Sequence, residues 1–204
     1  MPNGSLYIIA APSGGGKTSL VHALLNANAN LCLSISYTTR PPRIHEKNNI
    51  DYHFVDQAQF DDLCAKKQFL EHATVFGHGY ATSKTWVLKQ LQAGHDVILE
   101  IDWQGAEQIK QGFPEAVGIF ILPPSLPELE ARLRARATDS DEVIAGRLAQ
   151  AQADMRHYPA FDYLVVNDDF DTALQDLQAI LRAERRKQKK QANFHAQLLA
   201  DLLA

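Results

Sequence analysis

The 204-residue chain is short of several things, and each shortage closes off a class of explanation. Its only two cysteines, Cys32 and Cys64, lie in apolar or helical surroundings without a CxxC spacing, so neither a disulfide framework nor a zinc site is suggested. Both read as reduced, buried thiols. No run approaches the roughly 20 apolar residues of a membrane span, and no basic stretch precedes an apolar one near the start. A cytoplasmic protein with no membrane partner is expected. Excess positive charge is missing as well: 20 Lys and Arg against 24 Asp and Glu leave a net charge of -4, which argues against general nucleic-acid binding and for small-molecule partners. Internal repeats and low-complexity tracts are absent too. Self-association is not readable.

What is present is an ordinary globular composition, 46% hydrophobic and 22% charged, in a length suited to one core with attachments. Apolar runs bounded by turns recur at residues 6–11, 97–101, 117–122 and 163–166, the pattern of buried parallel strands. Amphipathic helical segments at 18–27, 84–93 and 170–183 alternate with them. The expectation is an α/β fold, a twisted parallel sheet flanked by helices on both faces. Its core is assigned to residues 1–32, 84–122 and 159–190, with a helical tail at 191–204.

Two segments break the alternation. Residues 33–83 hold short alternating runs around one helix at 57–67, which suggests a small mixed sheet inserted in the core. Residues 123–158 open with Pro123 and Pro124 and continue as two charged helices, 126–137 and 141–157, with few large apolar residues. An arginine-dense helical pair of that kind reads as a mobile lid or, alternatively, a rigid solvated hairpin. Near the C-terminus Arg182, Arg185, Arg186, Lys187, Lys189 and Lys190 form a basic cluster, readable as a solvated helix end or a binding patch.

The strongest chemical signal is Ala11-Pro12-Ser13-Gly14-Gly15-Gly16-Lys17-Thr18, set between a predicted strand and a predicted helix. Consecutive glycines let the backbone wrap with its N–H groups toward phosphate oxygens, and the helix N-terminus adds a positive dipole end. Lys17 would reach the β and γ phosphates of ATP, and the Thr18 hydroxyl would hold Mg²⁺. Ala11 stands where the strict pattern begins with glycine, but the flanking strand and helix supply the required context. Glu100 ends the run at 97–99, where many such proteins keep an aspartate that holds Mg²⁺ through water.

A phosphate loop alone leaves GTPases, ATPases and kinases open. Further along stand Ser34-Ile35-Ser36-Tyr37-Thr38-Thr39-Arg40-Pro41-Pro42-Arg43, Asp51-Tyr52-His53-Phe54, Phe69-Leu70-Glu71-His72 and Gly79-Tyr80-Ala81-Thr82-Ser83. Beyond these come Ile101-Asp102-Trp103-Gln104-Gly105, Arg132-Leu133-Arg134-Ala135-Arg136 and Val166-Asn167-Asp168-Asp169. In this order, from Leu6 to about Arg186, the chain closely resembles the guanylate kinases.

That resemblance implies a phosphate-loop kinase core carrying an inserted GMP-binding subdomain and a helical lid, with ATP, GMP and dGMP as substrates and Mg²⁺ as cofactor. It implies that Ser36, Arg40, Arg43, Tyr52 and Tyr80 bind the GMP phosphate. Thr82 and Asp102 would lie beside the base. Glu71 is the natural reader of guanine, because a carboxylate accepts from both N1–H and the exocyclic amino group, whereas adenine presents the opposite pattern. Arg132, Arg136 and Arg147 would act catalytically around the transferred group with Lys17, and Asn167 and Asp168 would lie on the adenine side. Ala81, where the family usually has glycine, implies a backbone with no need of positive φ. Two rivals share the fold: an interaction module without catalysis, whose phosphate loop would be degraded, and a kinase for another small phosphorylated acceptor.

Overall fold

The computed structural model describes residues 4–75, 77–135 and 140–204. The chain opens with β1 (Leu6–Ala10), the phosphate-loop residues, α1 (Lys17–Asn26) and β2 (Leu31–Ser34). It continues through β3 (Tyr37–Thr38), β4 (His53–Phe54), α2 (Gln57–Ala65), β5 (Phe69–Val75), β6 (His78–Ser83) and α3 (Lys84–Gln92). Then follow β7 (Asp96–Glu100), α4 (Trp103–Gly112), β8 (Val117–Leu122), α5 (Leu126–Ala135), α6 (Asp141–Met155), a short 3₁₀ turn and β9 (Tyr163–Val166). Three helices close the chain: α7 (Phe170–Arg185), α8 (Gln188–Phe194) and α9 (Ala196–Leu203).

Five strands form one parallel sheet in the order β2-β7-β1-β8-β9. The reason β1 reads as an unbroken apolar run is visible in its packing. Successive side chains leave opposite faces of a strand, and here both faces are covered. Tyr7 and Ile9 pack with Leu20, Val21 and Leu24 of α1 and with Ala173, Leu177 and Leu181 of α7. Leu6 and Ile8 pack on the other side with Val87 and Leu91 of α3 and Ala106 and Ile109 of α4. Ile8, Leu20, Leu24, Ile98 and Leu99 have no exposed surface, and burying a side chain of this size stabilises by roughly 1.5–3 kcal/mol. The expected α/β architecture is therefore present.

The second sheet, in the order β4-β3-β6-β5, is mixed: β3 runs parallel to β4 and antiparallel to β6. Its boundary needs one correction. β2 pairs with β7 through Ser34, so Leu33 and Ser34 belong to the core sheet and the inserted segment starts after them. Ala81 lies in β6 with no positive φ, in keeping with the sequence reading.

Three other expectations change. Cys32 and Cys64 are free but only partly buried. The helical pair after β8 is not core-poor: Leu129 and Leu133 of α5 close on Ile144 and Ala151 of α6, with Leu148 and Met155 against them. Three of the six residues of the basic cluster form ion pairs and two more bond neutral groups. Arg185 Nε donates to Asp96 Oδ2 at 2.6 Å, Lys187 pairs with Glu184, Lys189 with Glu115, and Lys190 bonds the Ser5 hydroxyl. Asp96, itself buried, also accepts from the Ser5 N–H, so these bonds fasten the end of α7 and the start of α8 to the sheet. Among the described residues no helix is long and apolar enough to cross a membrane.

Candidate active site

The loop between β1 and α1 sits at the carboxyl end of the central strand, where ligand crevices form in such sheets. Gly14 and Gly16 both take positive φ, 90° and 88°, a conformation that glycine adopts without strain. Gly16 is the N-cap of α1 and offers no side chain, so no side-chain acceptor meets the first N–H groups of the helix. Such a terminus is suited to an anion. Pro12, Gly14 and Gly15 are buried beneath the turn, Ala11, Ser13 and Lys17 are half-buried, and Thr18 is exposed on the first turn of α1. Lys17 Nζ rests 3.4 Å from the Ile101 carbonyl, across the sheet from its own helix.

Glu100 ends β7 beside β1. Among the described residues its buried Oε1 meets no hydrogen-bond partner, a costly state for a carboxylate unless something else satisfies it. With the Thr18 hydroxyl it offers hard oxygen donors, few in number, which suits Mg²⁺ held mainly by phosphates and water. The glutamate also reaches electrostatically toward the second sheet: burial raises the Tyr52 hydroxyl above its ordinary pKa, and the charges of Tyr80 and Glu100 add to that.

In the second sheet β3 delivers Arg40, and β6, paired with it, delivers Tyr80. Arg40 Nε donates to Tyr80 Oη at 3.3 Å, Nη1 donates to the Pro41 carbonyl, and the guanidinium lies 5.4 Å from the Tyr52 ring. Ser36 is half-buried just before β3, and Arg43, its side chain two-thirds exposed, lies 3.8 Å from Glu46, which is itself paired with Arg40. One residue here was not foreseen from sequence. Glu46 places both carboxylate oxygens on Arg40 Nη2, at 2.7 and 2.9 Å, and accepts the Arg43 N–H at 2.8 Å. Partial burial pushes its carboxyl up, but these bonds and the two guanidinium charges leave it below its ordinary pKa. The available signal was an acid three residues after Arg43 in a loop otherwise read for its cations.

Glu71 lies 4% exposed where the β5–β6 ladder changes register between Phe69 and His72, an irregularity that redirects side chains. Thr82 Oγ1 donates to its Oε1 at 2.6 Å. A Cβ at Gly105 would stand 2.6 Å from Glu71 Oε2, so a larger residue there would have to push the carboxylate aside. Burial is the main cause that raises the Glu71 pKa to about 7; the Thr82 bond opposes it, and nearby Asp102 adds to it. Asp102 itself caps α4, accepting the Gly105 N–H at 2.9 Å. Glu71, Thr82 and Asp102 are thus brought together.

The helical pair contributes Arg132 from α5 and a half-buried Arg147 from α6. Arg132 pairs with Glu128 and donates from Nη2 to the Asn167 carbonyl. Arg134 faces away, paired with Glu130 and Asp141. Arg136 lies outside the described residues. Asp168 is exposed, whereas Asn167 is 5% exposed and its Nδ2 donates to the Gly15 carbonyl at 2.9 Å. The Asn167 N–H is fixed to the Leu122 carbonyl at the end of the sheet, which places the residue beside the loop.

Comparison with known proteins gives one family. Residues 3–184 match the family model described as guanylate kinase. A guanylate kinase of Legionella pneumophila is 52% identical over 202 residues, covering 99% of this chain and 97% of that protein. One of Aromatoleum aromaticum is 54% identical over 194 residues, 95% of each. Among solved structures, guanylate kinase from Anaplasma phagocytophilum superposes with a TM-score of 0.77 at 34% identity, covering 92% of this chain and 89% of that one.

Proposed function

This chain belongs to the guanylate kinase family of nucleoside monophosphate kinases, and from that premise we propose that it transfers the γ-phosphoryl group of ATP to GMP, and to dGMP. The observation that carries the substrate choice is the buried Glu71 carboxylate, oriented by Thr82 and adjoining Asp102. Guanine presents two neighbouring donors to such a group.

Arg40, Arg43, Tyr52, Tyr80 and Ser36 bind the GMP phosphate, each offering a donor to a near-dianion. The phosphate-loop N–H groups and Lys17 hold the ATP phosphates. Thr18, and Glu100 through water, would hold Mg²⁺, which neutralises phosphate charge when bound. Transfer is direct and in line, without a covalent enzyme intermediate, because the acceptor phosphate is already ionised near neutral pH and needs no general base. Arg132, Arg136 and Arg147 surround the moving group as 123–158 closes as a lid, and closure excludes water that would hydrolyse ATP.

The test is ATP consumption with AMP, GMP, CMP, UMP and dGMP offered singly. GMP and dGMP should turn over at least about 10²-fold faster than AMP, since AMP sets an acceptor against Glu71. Equal use of AMP would remove Glu71 from the role of base reader, and no turnover of any acceptor would favour the non-catalytic interaction module.

A further inference from the structure

We propose that Asn167 is a positioning residue for the phosphate loop, acting on the ATP phosphates through the Gly15–Gly16 peptide and not on the adenine base. The inference rests on the ATP-dependent reading above and deepens it.

The described peptide bonds are all trans, and in a planar trans peptide the C=O and the next N–H point in opposite directions. Asn167 Nδ2 holds the Gly15 C=O at 2.9 Å. The Gly16 N–H must then point away from Asn167, to the other side of the loop, and among the described residues it meets no acceptor. One side-chain bond therefore fixes the direction of an unpaired donor on the phosphate loop. The fit is close. A Cβ at Gly16 would overlap the Asn167 amide and have to push it off the Gly15 carbonyl, and the φ of 88° itself favours glycine.

Asn167 is in turn held from both sides. Its N–H donates to the Leu122 carbonyl at 2.8 Å, anchoring it to β8, and its own carbonyl accepts from Arg132 Nη2 at 3.1 Å. α5, which carries Arg132, also rests on the loop directly: a Cβ at Gly14 would lie 2.9 Å from Leu129 and 3.2 Å from Leu133. Asn167 thus joins the sheet, the phosphate loop and the arginine-bearing helix. The amide nitrogen is committed to the Gly15 carbonyl and so is not free to meet a base, whereas the phosphates would feel any change in the peptide it orients.

Asn167→Asp keeps the shape and replaces the donor with an acceptor facing the Gly15 carbonyl; Asn167→Ala removes it. Calorimetric titration of the full-length variants with Mg·ATP and with Mg·tripolyphosphate, which has no base, should show both affinities falling about tenfold and by the same factor. KM for GMP should change less than twofold. Equal binding of tripolyphosphate by wild type and variants, with ATP alone weakened, would return Asn167 to the base; unchanged affinity for both would overturn the proposal outright. Should either variant fail to fold, amide exchange in the wild type decides: the Asn167 side-chain NH₂ should exchange slowly, and Mg·tripolyphosphate should shift the Gly16 amide resonance. Fast exchange of that NH₂ would overturn the inference. Because no arm on tripolyphosphate needs GMP, a failure here is distinct from failure of the wild type to phosphorylate GMP.

Discussion

The two phosphate sites proposed for this kinase draw on different parts of the chain. At residues 11–18 the cradle is backbone: glycines at φ 90° and 88°, a helix start without a side-chain cap, and Asn167 holding one carbonyl from behind. At residues 36–52 and 80 the donors are side chains, and the resting site already contains a counter-anion, Glu46, seated on Arg40. A cradle of amide dipoles carries only partial charges and can stand empty, whereas a half-buried guanidinium left without a partner is costly. The side-chain site therefore keeps an internal carboxylate, and the backbone site has no need of one.

The largest effect expected from this contrast falls on the backbone side. Lys17→Ala should lower kcat about 10³-fold while the affinity for ATP falls no more than about tenfold, because N–H groups still hold the phosphates but the charge that stabilises the moving group is gone. The half-buried lysine touches only the Ile101 carbonyl among its described partners, so the fold should be retained by circular dichroism. A loss of ATP binding as large as the loss of kcat, measured by titration, would break the distinction between the two sites.

Glu71→Gln comes next, at about 10²-fold in kcat/KM for GMP, since the amide keeps one acceptor and sets a donor against guanine's donors. Steady-state kinetics with GMP and AMP measure it. Unchanged GMP use would mean that the base is read elsewhere.

How far these parts were legible follows from what encodes them. β1 and β7 announce themselves because strands covered on both faces are continuous apolar runs, and the loop announces itself because its work is done by glycine. The small sheet was visible only in outline: β3 and β4 have two residues each, too few for any periodicity. The core of the helical pair was missed because four residues, Leu129, Leu133, Ile144 and Ala151, suffice to close it. For Asn167 the sequence marked a strand end but not the direction of a side chain, which its bond to the Gly15 carbonyl, 152 positions away in sequence, reveals. Glu46 was hidden by chemistry, since an acid beside two arginines expected to meet a phosphate reads as solvated loop.

A pH effect of about tenfold between pH 8 and 6 should follow from Glu71, whose pKa is about 7 in the folded chain and which must be ionised to accept from guanine. The sign for stability is the reverse. A carboxyl whose folded pKa lies above its unfolded value stabilises the fold while protonated, and that contribution is lost as pH rises from about 4.5 through 7. Guanosine, lacking the phosphate that titrates near pH 6, isolates the binding term: its inhibition constant against GMP should rise as pH falls toward 6, and Glu71→Gln should flatten the profile. A flat profile in the wild type would show that Glu71 is already ionised when the site is empty.

The smallest effect expected is the one that bears most directly on the comparison. Glu46 could be a placeholder that the GMP phosphate must displace, or a clamp that keeps Arg40 in position while the phosphate binds beside it. The bonds favour the clamp. The Glu46 carboxylate is tied to the Arg43 N–H as well as to Arg40, on a turn closed by its own N–H to the Arg43 carbonyl, so it leaves the guanidinium only by giving up both side-chain anchors. Arg40 is held besides by Tyr80 and the Pro41 carbonyl, which orients the guanidinium before the phosphate arrives. Glu46→Gln keeps one acceptor but surrenders the charge, in a pair whose side chains are only 13% and 16% exposed. KM for GMP should rise about fivefold with kcat nearly unchanged, the pattern of lost ground-state positioning, and the inhibition constant for guanosine should not move. A fall in KM for GMP would make Glu46 a competitor for the phosphate site, and the side-chain half of the molecule would then be self-inhibited in its resting state.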